Sequence, residues 1–482
     1  METNMTRKKT GFLSMLVLSV LVWSGCAVGP NYKRPAVDVP VTYRDAPTEA
    51  SATSQNSTGT AQQNASSLGD EKWWDVFQDE ELRDLIRTAL KNNYDVRIAA
   101  SRVLEAQAQL GITRADQYPS VGVGAQIGDQ RSPRIGPIPS YEVGLGQVTA
   151  SAAWNLDFWG RYRRATEAAR ANLLANEWAQ KQVMATLVAN VAAAYFQLRQ
   201  LDLQLEISKR TYGSRSESLK LTQTLEQHGL GSLLDVRQSE QLVYTAAQEI
   251  PDFERQVAQQ ENSISILLGK NPGDVPRGLA LTEEPHAPEV PAGLPSSLLE
   301  RRPDIRQAEQ SLIAANAQIG VARSAYFPQI SLTGSAGFET PALTNLFTGP
   351  AGVWNFGASL AQPVFEGGRI KSNVRFTEAQ RQQFLLSYQQ TIQGAFRDVS
   401  NALIAYRKDR EFRVQQEQLL KSAQDAARLS EVRFKAGTTD YLEVLTNESN
   451  SFTAELGLAQ AQGNELIALV QLYQSLGGGW QQ

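Results

Sequence analysis

The chain has 482 residues, of which 42% are hydrophobic and 20% are charged, and its formal net charge is −4. This composition can bury a core, and the slightly acidic balance argues against nucleic-acid binding, which requires a basic face. A single Cys excludes an intrachain disulfide, and two His leave little material for a His-rich metal site or for His-dependent catalysis.

The first 25 residues have the pattern of a secretory signal peptide. Basic residues at 7–9 precede an apolar run over 11–23, which is too short to span a bilayer comfortably. Cys26 stands at the expected cleavage site, in a pattern that resembles a bacterial lipobox. We therefore predict that Cys26 carries diacylglycerol and palmitate; an unlipidated Cys near an ordinary cleavage site is the alternative. The lipidated N-terminus and a polar linker occupy 26–72.

The rest of the chain repeats one sequence plan. Short matches recur at a constant offset of 209 residues and then of 208, a change that one deletion explains. They predict two tandem copies, at 73–270 and 298–482, joined by a Pro-rich connector over 271–297. The aligned pairs include Asp95-Val96-Arg97 with Asp304-Ile305-Arg306, Ala108-Gln109-Leu110-Gly111 with Ala317-Gln318-Ile319-Gly320, and Gly160-Arg161 with Gly368-Arg369.

Each copy is predicted to contain a helix, a β-hairpin and a pair of long helices. Apolar residues alternate with small or polar ones at about 119–156 and 328–364, which predicts one hairpin in each copy. No Pro interrupts the chain from 160 to about 227, so the sequence predicts a helix about 100 Å long at 1.5 Å per residue. Sharp turns at 228–231 and 436–439 end the two long helices.

Apolar residues in the long helices step by four and three, a heptad pattern typical of coiled coils. Small residues within this seam predict a close approach of the helices. The seam residues are Leu187, Val191, Ala194, Leu198, Leu201 and Leu205 in the first copy, and Ile392, Ala395, Val399, Ala402 and Tyr406 in the second. The last helix continues the pattern from Leu442 to Tyr473.

Four strands in one secreted chain cannot close a membrane barrel. Open sheet edges cannot lie in lipid, and eight strands from two chains would leave an interior filled with side chains. Three chains would supply twelve strands and room for a channel. We therefore predict an α+β membrane protein: a trimeric twelve-stranded β-barrel with four strands per chain, continued by a long α-helical coiled-coil periplasmic tube. A soluble helical rod with a small edge sheet is the alternative.

Several motifs together resemble the TolC-type outer-membrane factor family, specifically its OprM-like lipoprotein branch. The resemblance covers essentially the whole mature chain. The motifs are Cys26-Ala-Val-Gly-Pro-Asn-Tyr-Lys-Arg-Pro35, Trp73-Trp74, Arg301-Arg302-Pro303-Asp304-Ile305, Phe365-Glu366-Gly367-Gly368-Arg369, Ala436-Gly437-Thr438-Thr439-Asp440-Tyr441-Leu442 and Leu476-Gly477-Gly478-Gly479-Trp480.

The resemblance implies the outer-membrane channel of a tripartite efflux system, a passive exit duct for drugs or other toxic small molecules. The implied partners are two further copies of the chain, a periplasmic adaptor protein, an inner-membrane transporter of the resistance-nodulation-division type and outer-membrane lipid. Adaptor docking is implied for the turns, at Gly229, Gly231, Gly437 and Thr438. A periplasmic gate is implied for Leu419, Asp425 and Arg428, with Asp425 as a threefold ring and Leu419 as an apolar constriction.

Other functions stay open at this point. A duct for type I protein secretion would share the fold, and a non-conducting structural coiled-coil lipoprotein would share the helices. The charged residues at 425 and 428 could equally form a solvated surface. No Gly-rich phosphate loop or nucleophile elbow is present, so we expect no enzyme activity, no catalytic residue, no metal site and no cofactor other than the covalent lipid.

Overall fold

The computed structural model describes residues 27–40, 43, 67–284, 295–341 and 343–481. Cys26 and the predicted signal peptide lie outside these described residues, so the structure adds nothing to the lipidation prediction. Within the described part of the chain, no helix is long and apolar enough to cross a membrane.

Both copies contain two helices, a β-hairpin and two long helices in the same order, and the first copy has one additional short helix at its start. The first contains α1 (Trp73–Val76), α2 (Glu80–Asn92), α3 (Tyr94–Ala115), β1 (Ser120–Ser132), β2 (Tyr141–Leu156), α4 (Arg161–Gln227) and α5 (Leu233–Leu267). The second contains α6 (Pro295–Arg301), α7 (Pro303–Ser324), β3 (Gln329–Thr340), β4 (Gly352–Ala361), α8 (Arg369–Lys435) and α9 (Tyr441–Ser475). The long helices α4 and α8 each have 67 residues, and their partners α5 and α9 each have 35.

The four strands form one antiparallel sheet in the order β1-β2-β3-β4. The two hairpins join through β2 and β3, whose register pairs Ser151 with Ser335. Within the described chain, β1 and β4 therefore each keep one edge without a strand partner. Successive side chains along each strand point to opposite faces of the sheet, and paired residues on neighbouring strands point to the same face. The predicted alternation of apolar with small or polar residues therefore gives the sheet two different faces.

Contacts divide the described chain into two compact units. The first holds residues 27–36, 102–176 and 307–388, and so contains the sheet and the adjoining helix segments. Its helices approach closely through small residues, because Ala168 and Ala171 of α4 pack against Ala314 and Ala317 of α7. The second unit holds the remaining helices and helix segments.

An extended N-terminal segment packs on the helices of the first unit. The Arg164 side chain is buried and donates hydrogen bonds to the Gly29 carbonyl at 3.3 Å and to Asn31 Oδ1 at 2.7 Å. Glu309 accepts from the Tyr32 hydroxyl at 3.3 Å and pairs with Arg34 at 3.1 Å. These four contacts fasten the segment, although it has no regular secondary structure.

Burial in the second unit follows the predicted heptad seams. All five seam residues of the second copy are buried, and so are Leu187, Val191, Leu198 and Leu201 of the first. In α9, Phe452 and Tyr473 are buried, whereas Leu442 is 57% exposed. Leu442 lies in the first turn of α9, next to the point where the helix pair ends. The prediction of a core position was therefore wrong at that one residue.

Candidate functional site at the helix turns

The two turns that end the long helices are built in the same way. Gly229 and Gly437 adopt φ values of +72° and +71°, a left-handed conformation that glycine enters without steric cost. The N–H of the following residue then donates to the carbonyl five residues earlier, from Leu230 to Leu225 at 2.8 Å and from Thr438 to Arg433 at 3.0 Å. This arrangement satisfies carbonyls that the helix end leaves free. The predicted docking residues therefore lie in two hydrogen-bonded, exposed turns.

The restart of the second helix differs between the turns. Ser232 caps α5 by accepting from the Asp235 N–H, while Asp235 accepts from the Ser232 N–H, which makes a reciprocal capping box. Gly231 precedes this cap. In the second turn, Asp440 is the N-cap residue of α9 but its side chain makes no capping hydrogen bond. The two turns therefore share their glycine conformation but differ in how the following helix is capped.

Near its end, α8 presents the predicted gate residues to the outside of the chain. Asp425 and Arg428 form an ion pair at 2.7 Å, and their side chains are 59% and 63% exposed. Leu419 is also exposed, but it lies about 120° around the helix from Asp425, at about 100° per residue. Two exposed apolar side chains that sequence reasoning missed, Leu429 and Val432, share the face of Asp425 one and two turns further on.

The opposite face of α8 packs on α9. Arg413 pairs with the buried Glu465 and with Glu417, and the Gln416 amide donates to the Ala454 carbonyl at 3.1 Å. These polar contacts hold the two helices of the second pair together. The exposed face of Asp425 is therefore left free for contacts outside this helix pair.

A group of three hydroxyls joins α9 to the first helix pair. The Ser239 hydroxyl of α5 lies 3.0 Å from the Tyr441 hydroxyl of α9. The Thr222 hydroxyl of α4 lies 3.4 Å from both of them. The Tyr441 ring also packs against Phe434, with ring centroids 5.0 Å apart. Four helices thus meet at Tyr441, the first residue of α9 after the turn at 436–439.

A buried cation forms a second link between the helix pairs. The Arg215 guanidinium of α4 donates to the Leu242 carbonyl of α5 at 2.8 Å and lies 4.8 Å from the ring centroid of Phe452 in α9. Burial lowers the pKa of Arg215 from its usual value, and the Glu448 carboxylate partly offsets that effect. Burial likewise raises the pKa of Glu448. We call these two links, at Tyr441 and at Arg215, the inter-pair latch.

The sequence contained a signal for this latch. Continuing the four-and-three steps of α4 beyond Leu205 leads to Ser208, Arg215 and Thr222, and all three side chains are buried. The same continuation in α8 leads to Arg413 and Gln416. Polar residues at seam positions therefore marked the helix contacts, but the prediction stopped at the last apolar seam residue.

The sheet presents two chemically different faces. Val121, Val123, Trp354 and Phe356 lie on one face and are strongly exposed in the single chain. Ser151 lies on the other face, where small and polar residues prevail. An exposed apolar face on a single chain is typical of a surface that meets lipid or a protein partner.

Comparison with known proteins identifies the family to which this architecture belongs. A family model described as outer membrane efflux protein matches the chain twice, over residues 85–270 and 294–478. The chain is 36% identical over 479 residues to the probable efflux pump outer membrane protein TtgC of Pseudomonas putida, covering 98% of this chain and 96% of that protein. It is 34% identical over 466 residues to the cation efflux system protein CusC of Escherichia coli O6:H1, covering 96% and 97%.

A solved structure shows the same fold. The open state of the MtrE outer membrane channel of Neisseria gonorrhoeae matches with a TM-score of 0.84 and 32% identity, covering 94% of this chain and 99% of that one. Together with the sheet and the duplicated long helices, this match confirms the predicted fold class. The predicted outer-membrane location and efflux role are confirmed as well. The chain therefore belongs to the outer membrane efflux protein family, the TolC-type outer-membrane factors, and is the outer-membrane channel of an efflux system.

Proposed function

We propose that three copies of this chain form a passive exit duct that receives its cargo from an energised transporter. The observation that carries the proposal is the four-stranded sheet, in which β1 and β4 each have one edge without a strand partner among the described residues. Free edges carry unpaired N–H and C=O groups that lipid cannot satisfy, so the sheet must be closed by copies of itself. Three copies supply twelve strands, enough for an aqueous interior.

The proposed partners are a periplasmic adaptor and an inner-membrane transporter of the resistance-nodulation-division type. The two hydrogen-bonded glycine turns, containing Gly229, Gly231, Gly437 and Thr438, would dock the adaptor. A backbone already constrained by internal hydrogen bonds suits docking, because less conformational entropy is lost on binding. The duct itself would catalyse no reaction, and its cargo would be drugs or other toxic small molecules.

The proposed gate is the exposed face of α8 near the second turn. Three Asp425 carboxylates would form an acidic ring, and each is accompanied by Arg428 on the same face. An acidic ring favours cations over anions. Leu419 would form an apolar constriction at a separate level of the helix. Opening would require the second helix pair to move away from the first, and therefore to break the inter-pair latch.

Lipid on Cys26 is proposed as an additional anchor. Several acyl chains would add firm membrane attachment, at about 0.8 kcal/mol for each buried methylene. Mass spectrometry of the N-terminal peptide tests this directly. An added mass equal to diacylglycerol and palmitate is expected, and a free thiol at Cys26 would contradict the proposal.

The experiment that tests the duct combines cells with purified protein. Deleting the gene in the producing bacterium should sensitise it to several unrelated drugs, dyes or metals, and restoring the gene should reverse this. Purified protein should have the mass of three chains and should conduct ions in planar bilayers. A monomeric, non-conducting protein would favour the structural-lipoprotein alternative. Unchanged susceptibility with intact conductance would favour protein secretion.

A further inference from the structure

The sheet separates charge between its two faces. In the observed register, the polar face is formed by the even positions of β1 and the odd positions of β2, β3 and β4. The inference below rests on the proposed function. In a closed barrel the apolar face meets lipid, and the polar face lines the interior.

The interior face is almost free of formal charge. Along all four strands its positions carry small, hydroxyl and amide residues, such as Ser151, Ser335 and Asn355, with a few apolar ones. Of all the strand residues on this face, only Glu339 carries a formal charge. Other charged strand residues, such as Arg131 and Glu142, occupy the opposite face, where they pair at 3.5 Å.

Glu339 lies at the loop end of its strand. It is the penultimate residue of β3, and it pairs with Gln147 of β2, whose amide donates to Glu339 Oε2 at 3.5 Å. The chain leaves the sheet at this end after Ser132 and Thr340, whereas α3 and α4 adjoin the other end. The helices belong to the periplasmic side, so Glu339 lies toward the external mouth.

We propose that Glu339 determines ion selectivity at the external mouth of the duct. Three symmetry-related carboxylates would form one acidic ring in a wall that is otherwise neutral. Such a ring concentrates cations and depletes anions within about one Debye length, ~10 Å at 0.1 M salt and ~3 Å at 1 M. The neutral wall below the ring would pass cargo of either charge. Charge discrimination at the exit therefore arises from a single residue per chain.

Single-channel recording with a KCl gradient tests this proposal. Glu339→Gln should lower the cation-to-anion permeability ratio about twofold at 0.1 M salt, and the difference should vanish near 1 M, where screening is strong. Glu339→Lys should lower the ratio further. Glu142→Gln is the matched control, since it removes a carboxylate from the opposite face of the neighbouring strand, and its ratio should equal that of the wild type.

A second background prevents the gate from masking the effect. The same variants are recorded with Asp425→Ala, which removes the proposed gate charge. Conducting channels in which Glu339→Gln and Glu142→Gln give equal ratios in both backgrounds would overturn the Glu339 proposal and leave the duct intact. Absence of any conductance in the wild type would overturn the duct and the ring together.

Cysteine labelling tests separately whether Glu339 lies at the external mouth. Cys26 is the only native Cys, so Glu339→Cys introduces a defined reporter. A membrane-impermeant maleimide added to intact cells should label it, whereas a Cys in place of Ser331, at the helix end of β3, should label several-fold more slowly. Equal labelling rates at both positions would contradict the location of Glu339 at the external mouth.

Discussion

The polar contacts that hold the helices together differ in strength between two regions, the surroundings of Asp79 and the turns that end the long helices. Asp79 is only 2% exposed and accepts four hydrogen bonds: from the N–H groups of Glu81 and Leu82, from the Tyr195 hydroxyl at 2.6 Å and from the Leu279 N–H at 3.0 Å. One carboxylate thus joins the start of α2, the middle of α4 and the connector. We call Asp79 with these partners the Asp79 cluster.

Near the helix turns, the polar contacts between helices are weaker. Tyr441, Ser239 and Thr222 interact through neutral hydroxyls. Asp425 and Arg428 pair within one helix and are largely exposed. A neutral hydrogen bond contributes about 1 kcal/mol and an exposed ion pair about 0–1 kcal/mol.

The difference separates stability from opening. A buried carboxylate with four donors is costly to disrupt, so the Asp79 cluster is suited to hold its helices in every state of the duct. Contacts of about 1 kcal/mol can be broken and remade by a docking partner. Substitutions at the two regions should therefore differ in kind: the first should reduce stability without leak, and the second should increase leak with little loss of stability.

The largest effect is expected for Asp79→Ala. It leaves four donors without their acceptor, including the helix cap of α2, and should lower the free energy of unfolding by about 3 kcal/mol. Denaturant titration of the purified protein measures this loss. Asp84→Ala is the matched control, because Asp84 lies on the same helix in an exposed pair with Arg87. Equal losses of unfolding free energy for both variants would show that the Asp79 cluster contributes no more to stability than an exposed ion pair.

How far the sequence predicts these regions differs. The duplicated plan, both hairpins and the long helices follow from period and repeats, because strand and helix periods are local properties of the chain. The Asp79 cluster could not be predicted, since Asp79, Tyr195 and Leu279 are brought together only by the tertiary fold. The latch is intermediate: Arg215 and Thr222 continue the seam, but their partners Phe452 and Tyr441 lie more than 200 positions away in the chain.

Glu284 should make the stability of the Asp79 cluster depend on pH. Burial raises the pKa of Glu284 from 4.5 to about 7, and the nearby Asp79 carboxylate adds to the shift, while Arg199 opposes it. The folded state therefore binds a proton that the unfolded state has already released. The contribution of Glu284 to stability is fully present below about pH 4.5, and is lost as pH rises toward about 7.

Glu284→Gln should remove that dependence, because the amide stays neutral. The variant should unfold at a higher denaturant concentration than the wild type at pH 8, and the gap should narrow toward pH 5. Denaturant midpoints across this range give the slope for each protein. Parallel slopes for the wild type and the variant would show that Glu284 does not titrate between these pH values.

Arg215→Ala should weaken the inter-pair latch. It removes a charged hydrogen bond to the Leu242 carbonyl and a cation–π contact with Phe452, together about 2 kcal/mol. The expected result is a higher leak conductance together with a moderate loss of stability. Arg237→Ala, on the exposed face of α5, is the control. A stability loss without any rise in leak would place Arg215 with the structural supports.

The two turns can be compared directly through their caps. Ser232→Ala breaks a reciprocal capping box and should cost about 1 kcal/mol, whereas Asp440→Ala removes only a charge near the N-terminus of α9 and should cost about 0.3 kcal/mol. Denaturant titration of both variants measures the difference. Equal costs would mean that Asp440 forms its cap in solution and that the turns are equivalent.

Asp425→Ala should have little effect on stability, because it removes one exposed ion pair of about 0.3 kcal/mol. Its effect on the closed duct should nevertheless be clear, since three substitutions act at once around the proposed ring and leak conductance should rise several-fold. Asp252→Ala is the matched control: Asp252 forms a similarly exposed pair, three residues from Arg255, on α5 of the first helix pair. If both variants leak equally, loss of surface charge is the cause, and the gate does not lie at Asp425. If only Asp425→Ala leaks, a contact of negligible stability controls opening, which is the separation that the two regions imply.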